Sequence, residues 1–240
     1  MRVTTTSSTS PVSSSSGSSS ARLGNAEIRF TSSADGDFAP PAQHDDAALA
    51  ARRARIVDAP WTWLRQVHGR GVVVVDAPGV GRGTEADAAV ALVRNAPVAV
   101  VTADCAPVVL VDDDGDTLAV VHAGWRGLVD GVIAEAVAVM RANGAQHIVG
   151  ALGPCIHAEC YEFAGPELDA VVDALGDSVR ATTSKGQPAL DVPAAVRAAL
   201  ARLDVEVVLD ADVCTACTSG YWSHRARQDA ARQATVAWLA

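Results

Sequence analysis

Aromatic residues are scarce in this chain: three Phe, two Tyr and five Trp among 240 residues. The core must therefore be built mostly from Ala, Val and other small aliphatics. No apolar run approaches the ~18 residues that span a bilayer, and the start of the chain lacks the apolar stretch of a secretory signal. Neither membrane insertion nor export is expected. Basic charge is in deficit, with 19 Lys and Arg against 28 Asp and Glu and a net charge of −9. Such a surface repels phosphate backbones and anionic lipid, so no nucleic-acid partner and no membrane partner is expected. Five cysteines are an odd number at low density, which does not suit a disulfide scaffold. A soluble cytoplasmic protein is the reading these absences leave. The chain also lacks the G-x-S-x-G of serine hydrolases, and its Gly79 to Gly83 stretch lacks the Lys-Ser/Thr of a phosphate loop.

What is present is a Ser/Thr-rich start followed by a globular remainder. Residues 1–26 are expected to form a disordered tail, because such a composition cannot bury enough surface to offset its ordering entropy. A single domain is expected over residues 27–240, with no repeat and no internal linker. Residues 27–31 alternate like an edge strand. Asp45-Asp46 is expected to cap a short helix running to Ile56, with Arg52, Arg53 and Arg55 toward solvent. Short apolar strands are expected at residues 72–75, 88–92, 97–101, 108–111, 117–121, 147–152, 205–209 and 236–239. Helical spacing marks residues 128–143, 166–175 and 192–203. This alternation predicts a mixed α/β domain with layered sheets.

Reactive side chains sit at the ends of three of these strands, where α/β folds build their sites. Gln66-Val67-His68-Gly69 precedes the strand at residue 72, Asp104-Cys105 ends the one at residue 97, and His122 ends the one at residue 117. His68, Cys105 and His122 together offer two imidazoles and a thiolate, a set that suits zinc with a fourth position left open. Plainer readings stand beside this one. A Cys in an apolar stretch serves as a small buried hydrophobe, and a His beside Gly as an ordinary loop residue. Cys214-Thr215-Ala216-Cys217 has the C-x-x-C form of a redox pair or of half a zinc site, but Cys155 and Cys160 are too widely spaced to supply the other half.

At these same segments the chain resembles the YfiH-like laccase-domain family, also called polyphenol oxidase-like or peptidoglycan-editing-factor proteins. The matching pieces are Gln66-Val67-His68-Gly69, Thr102-Ala103-Asp104-Cys105-Ala106-Pro107, His122-Ala123-Gly124-Trp125-Arg126-Gly127, Gly153-Pro154-Cys155-Ile156 with Tyr161-Glu162, Cys214-Thr215, and Tyr221-Trp222-Ser223-His224-Arg225. The resemblance implies one domain of α/β/β/α layers with mixed sheets. It also implies a zinc ion, with copper as the lesser alternative, held by His68, Cys105 and His122. The implied chemistry is phosphorolysis of purine nucleosides (adenosine, inosine, guanosine and methylthioadenosine) and deamination of adenosine, so purine nucleosides and phosphate are the implied partners. A metal of this kind lowers the pKa of water toward ~7, which suits attack at C6 of adenine. Arg126 would hold phosphate, Asp104 would orient a ligand or shuttle a proton, and Gln66 and Arg225 would contact substrate.

Three other functions remain in view: a cytoplasmic peptidoglycan-precursor hydrolase with Cys105 as nucleophile and His122 as base, a copper-dependent phenol oxidase, and a non-catalytic metal-binding protein. The chain also departs from the family pattern. Ser33 stands where an Arg is usual in the turn after the first strand, and His224-Arg225-Ala226-Arg227 replaces a Tyr-Arg-Arg segment.

Overall fold

The computed structural model describes residues 18–40 and 47–240. A tight turn at Gly24, with a left-handed φ of 50°, joins β1 (Ser19–Leu23) to β2 (Ala26–Phe30) as an antiparallel hairpin. Helix α1 (Ala47–Ile56) and β3 (Thr62–Trp63) follow. The central strands are β4 (Val72–Val75), β5 (Ala88–Ala91), β6 (Val98–Thr102), β7 (Ala106–Asp112) and β8 (Leu118–Ala123). Helices α2 (Trp125–Asp130) and α3 (Val132–Ala142) lead to β9 (Ile148–Leu152) and α4 (Pro166–Leu175). The chain then forms β10 (Arg180–Thr182), β11 (Pro188–Leu190), α5 (Val192–Ala201), β12 (Glu206–Asp210), α6 (His224–Arg227) and β13 (Gln233–Leu239).

Two mixed sheets stack face to face: a five-stranded one in the order β1-β2-β13-β6-β3, and a six-stranded one in the order β12-β9-β7-β8-β5-β4. The pleat sends alternate side chains of each strand to opposite faces. Ala89, Ala91, Val109, Val111, Leu118 and Val120 of the six-stranded sheet meet Ile28, Val98, Val100 and Leu239 of the other. On its outer face Val90, Val108, Leu110 and Val121 pack under Ile133, Val137 and Met140 of α3 and Val196 and Leu200 of α5. The outer face of the five-stranded sheet, with Ala99 and Val236, is covered by Leu49 of α1, Phe38 and Trp61. The layers are thus α/β/β/α in one mixed α/β domain, as the motifs implied. Small residues at the sheet interface explain how a chain so poor in aromatics closes this core.

Several local expectations change. Residues 19–23, read by composition as part of the tail, form β1, because Ala21 and Leu23 pack on the core between the sheets; residues 1–17 lie outside the described residues. Strand β2 is not an edge strand, since β1 and β13 flank it. The expected helix over residues 128–143 is two helices, broken where Gly131 takes a left-handed φ of 85°. Arg53 of α1 is buried, not solvated, with its guanidinium 5.2 Å above the Trp63 ring and 5.8 Å above that of Trp61. The expected cap at residues 45–46 lies outside the described residues.

Candidate metal centre

Strands β5, β7 and β8 run side by side, and three polar side chains gather where they end. In β8 the side chains of Leu118 and Val120 face the inter-sheet core, and two residues further His122 has the same parity. Asp87 precedes β5 with the parity of Ala89 and Ala91, and Cys105 precedes β7 with that of Val109 and Val111. His122 lies within β8, one residue before its end. The loop 66–69 brings His68 over this edge with a left-handed φ of 60°.

His68, Cys105 and His122 come together as the sequence anticipated: their ligand atoms all lie within 4.8 Å of one another. Cys105 Sγ is 3.7 Å from His68 Nε2, and the two imidazole rings meet edge-on with centroids 4.8 Å apart. Tetrahedral zinc, with Zn–S near ~2.3 Å and Zn–N near ~2.0–2.1 Å, needs an S···N separation of about 3.6 Å. The donor set and its spacing fit such an ion, with a fourth position left for a small ligand. Gly124 makes the packing possible, since a Cβ there would stand 2.6 Å from His68 Cδ2 and 3.3 Å from Cys105 Sγ.

Asp87, which the sequence reading passed over, organises the centre. It is fully buried. One oxygen contacts His122 Nδ1 at 2.7 Å and accepts from the His68 amide at 2.9 Å. The other accepts from the amides of Val67 and Gly69 at 3.2 and 2.8 Å. Because the carboxylate accepts at Nδ1, that nitrogen carries a hydrogen, which leaves Nε2 as the atom that would give up its own hydrogen to bind an ion. The only hint in the sequence is a lone acid at the head of an otherwise apolar strand.

Burial alone would raise the Cys105 thiol, but the His122 imidazolium, with hydrogen bonds from both His122 and His68, brings it down to about 6. Burial likewise disfavours charge on His122, yet the Cys105 thiolate and the Asp87 carboxylate raise it to about 9. Burial works against the Asp87 charge too, and hydrogen bonds from His122 and the Gly69 amide hold its carboxyl below the usual range. Without a metal the centre is thus a thiolate–imidazolium pair resting on a carboxylate.

The remaining sequence candidates surround this centre in different ways. Gln66 spends both ends of its amide on the backbone of Val101, donating to its carbonyl and accepting from its N–H, each at 2.8 Å. Asp104, at a left-handed φ of 96°, accepts from Thr215 Oγ1 at 2.8 Å and from the Arg225 amide at 2.7 Å. Arg126 is exposed, lies 4.6 Å over the ring of Trp125, and has no ion-pair partner among the described residues. The guanidinium of Arg225 lies 4.8 Å over Tyr161 and donates to the Glu162 carbonyl. Tyr161, Phe163 and Trp125 form a run of ring contacts, 5.2 and 5.5 Å between centroids. Burial and the Cys105 charge push the Tyr161 hydroxyl up to about 12.

Comparison with known proteins bears on the family and the fold. The family profile described as multi-copper polyphenol oxidoreductase laccase matches residues 26–240. A purine nucleoside phosphorylase of Streptomyces coelicolor is 40% identical over 203 residues, covering 83% of this chain and 84% of its own. One of Mycobacterium tuberculosis is 37% identical over 240 residues, covering 90% and 94%. A solved structure of a Neisseria meningitidis protein superposes with a TM-score of 0.77 at 27% identity, covering 90% of this chain and 94% of that one. The YfiH protein of Bacillus licheniformis shares the fold, with a TM-score of 0.79 at 18% identity over 95% and 98% of the two chains. With its metal-type trio at the end of the six-stranded sheet and its match running from β2 to β13, the chain belongs to the laccase-domain family typified by YfiH.

Proposed function

We propose that the protein is a cytoplasmic, zinc-dependent purine nucleoside phosphorylase that also deaminates adenosine. The observation that carries this reading is the trio of His68, Cys105 and His122, backed by the Asp87 carboxylate and bordered by aromatic rings. The names of the relatives at 37–40% identity support the phosphorylase activity. When bound, the ion supplies Lewis acidity and a nucleophile at neutral pH.

The chain's own residues supply the rest. Asp87 holds the His122 tautomer and, through the amides of residues 67–69, the bearing of His68. Trp125, Phe163 and Tyr161 offer apolar faces against which a purine stacks. Arg126, exposed and without a carboxylate partner among the described residues, is the group that takes phosphate by a bidentate contact. Arg225, seated on the Tyr161 ring, is a second cation for substrate. Asp104 and Gln66 act as positioning residues, since their polar atoms hold the Arg225 amide and the Val101 backbone.

A second reading has its own observation. Cys105, His122 and Asp87 also form the thiol, imidazole and carboxylate series of a nucleophilic cysteine hydrolase, with the thiol already lowered to about 6. The two readings part on metal content. We expect purified protein to carry zinc at the trio and to convert nucleosides to free base only when phosphate is supplied. Metal-loaded protein that turns over no nucleoside, with or without phosphate, overturns the phosphorylase reading; metal-free protein alkylated at Cys105 with loss of hydrolase activity establishes the other.

A further inference from the structure

Side chains that bind soft metals converge a second time in this molecule. Cys214 and Cys217 lie on the turn that follows β12, while Glu159 and Cys160 belong to the single 3-10 turn Ala158–Cys160. Their three sulfurs and one carboxylate oxygen all lie within 4.8 Å of one another. Cys217 Sγ is 3.8 Å from Glu159 Oε1. A tetrahedral ion with sulfur ligands near ~2.3 Å and an oxygen ligand near ~2.1 Å needs donor separations of about 3.5–3.8 Å. A contraction of about 1 Å at the widest edge completes that shell.

The backbone already holds both arms in place. Ser184 donates to the Glu159 carbonyl through its amide at 3.1 Å and its hydroxyl at 3.2 Å. The Thr218 amide donates to the Cys214 carbonyl at 3.0 Å, closing the turn that spaces Cys214 from Cys217. The His157 amide donates to Cys214 Sγ at 3.4 Å, the kind of contact that steadies a thiolate ligand. The missing half of the C-x-x-C motif is thus Glu159-Cys160. Cys155, the other candidate, is sealed in the core at 1% exposure. Cys217 and Glu159 are exposed, which gives an ion its entry path.

We propose that Glu159, Cys160, Cys214 and Cys217 form a second metal site, a structural zinc site closed by four protein ligands and distinct from the His68, Cys105 and His122 centre. Three thiolates select a soft ion, and four protein donors leave no position for substrate. The site ties the 3-10 turn to the loop after β12. Each arm also reaches the first centre: Tyr161 follows Cys160 and carries Arg225, and Thr215 follows Cys214 and donates to Asp104. The proposal does not rest on the nucleoside reading.

Titration of the reduced, metal-free full chain with Co2+ tests it, read by thiolate-to-cobalt charge transfer in the near ultraviolet. Two equivalents are expected to bind. In Cys105→Ser, which removes the only thiolate of the first centre, most of the band remains. In the double variant Cys160→Ser with Cys217→Ser, one equivalent binds and the band falls to roughly a quarter, one thiolate of four. Glu159→Gln, at an exposed position not needed for packing, weakens the second equivalent roughly tenfold or more. The proposal is overturned if the chain takes a single equivalent, if Cys105→Ser abolishes the band, or if the chain purified without reductant carries a disulfide among Cys160, Cys214 and Cys217.

Discussion

Asp87 and His122 stand opposite each other across the β5–β8 pair, joined twice: the His122 amide donates to the Asp87 carbonyl at 2.7 Å, and Asp87 Oδ1 meets His122 Nδ1 at 2.7 Å. The backbone pairing that builds the sheet therefore also aims the His122 ring. Asp87→Asn keeps the shape but brings an NH2 group against donors that need an acceptor. Zinc affinity at the trio is expected to fall about 10- to 100-fold, measured by competition with a chromophoric chelator. Unchanged affinity removes Asp87 from the centre.

Zinc binding to the trio should expel a proton. In the metal-free state Cys105 lies at about 6, below its ordinary 9.0, so its stabilising charge is lost as pH falls through about 6. His122 lies at about 9, above its ordinary 6.5, so its contribution is full below 6.5 and is lost as pH rises through about 9. Metal-free protein is accordingly most stable between those limits. At pH 7.5 the thiolate is already formed and the imidazolium must give up its hydrogen, so roughly one proton leaves per ion bound. Calorimetry in buffers of different ionisation enthalpy, on the Cys160→Ser, Cys217→Ser double variant, reads this release. Zero protons would mean that His122 is already neutral.

Arg126→Ala separates the two nucleoside reactions. Phosphorolysis is expected to fall about thirty- to a hundredfold through loss of the anion contact, while adenosine deamination falls far less. Because Arg126 is exposed and unpaired among the described residues, the thermal midpoint should stay within about a degree. Equal loss of both reactions with reduced stability would assign Arg126 to the fold instead.

Deleting the chain through residue 24 removes β1 and uncovers the edge of β2. Loss of the Ala21 and Leu23 contacts should cost about 1–2 kcal/mol, a drop of roughly 3–6 °C in thermal midpoint. An unchanged midpoint would mean that the hairpin contributes nothing.

The trio was legible in the sequence because each of the three residues stands at the edge of an apolar run, and strand ends in such folds converge. Asp87 was not, because its role depends on register: only once Ala88 pairs with Val121 does Asp87 fall opposite His122. The pairing of Cys160 with Cys214 and Cys217 was hidden for a similar reason, since a backbone bridge from Cys155 to Cys214 sets the two loops side by side. Strand β1 was masked by its serines, where composition spoke for disorder while Ala21 and Leu23 carried the contacts. The break at Gly131 was available but overridden by apolar spacing that continued through it. For Asp104 and Gln66, residue type pointed to chemistry, while the hydrogen bonds they make point to scaffolding.

Strand β13 lies between β2 and β6, so Thr31 and Ala234, 203 residues apart, are hydrogen-bonded neighbours. During synthesis on the ribosome, β2 and β6 emerge long before the strand that must separate them. Until then the five-stranded sheet has two open edges, and the inter-sheet core lacks Ala237 and Leu239 on one side. The nascent chain must be kept from pairing β2 directly with β6, a shortcut that would shut β13 out. A premature stop before residue 233 would spare every donor of the two His/Cys/Glu clusters and still leave a protein unable to close.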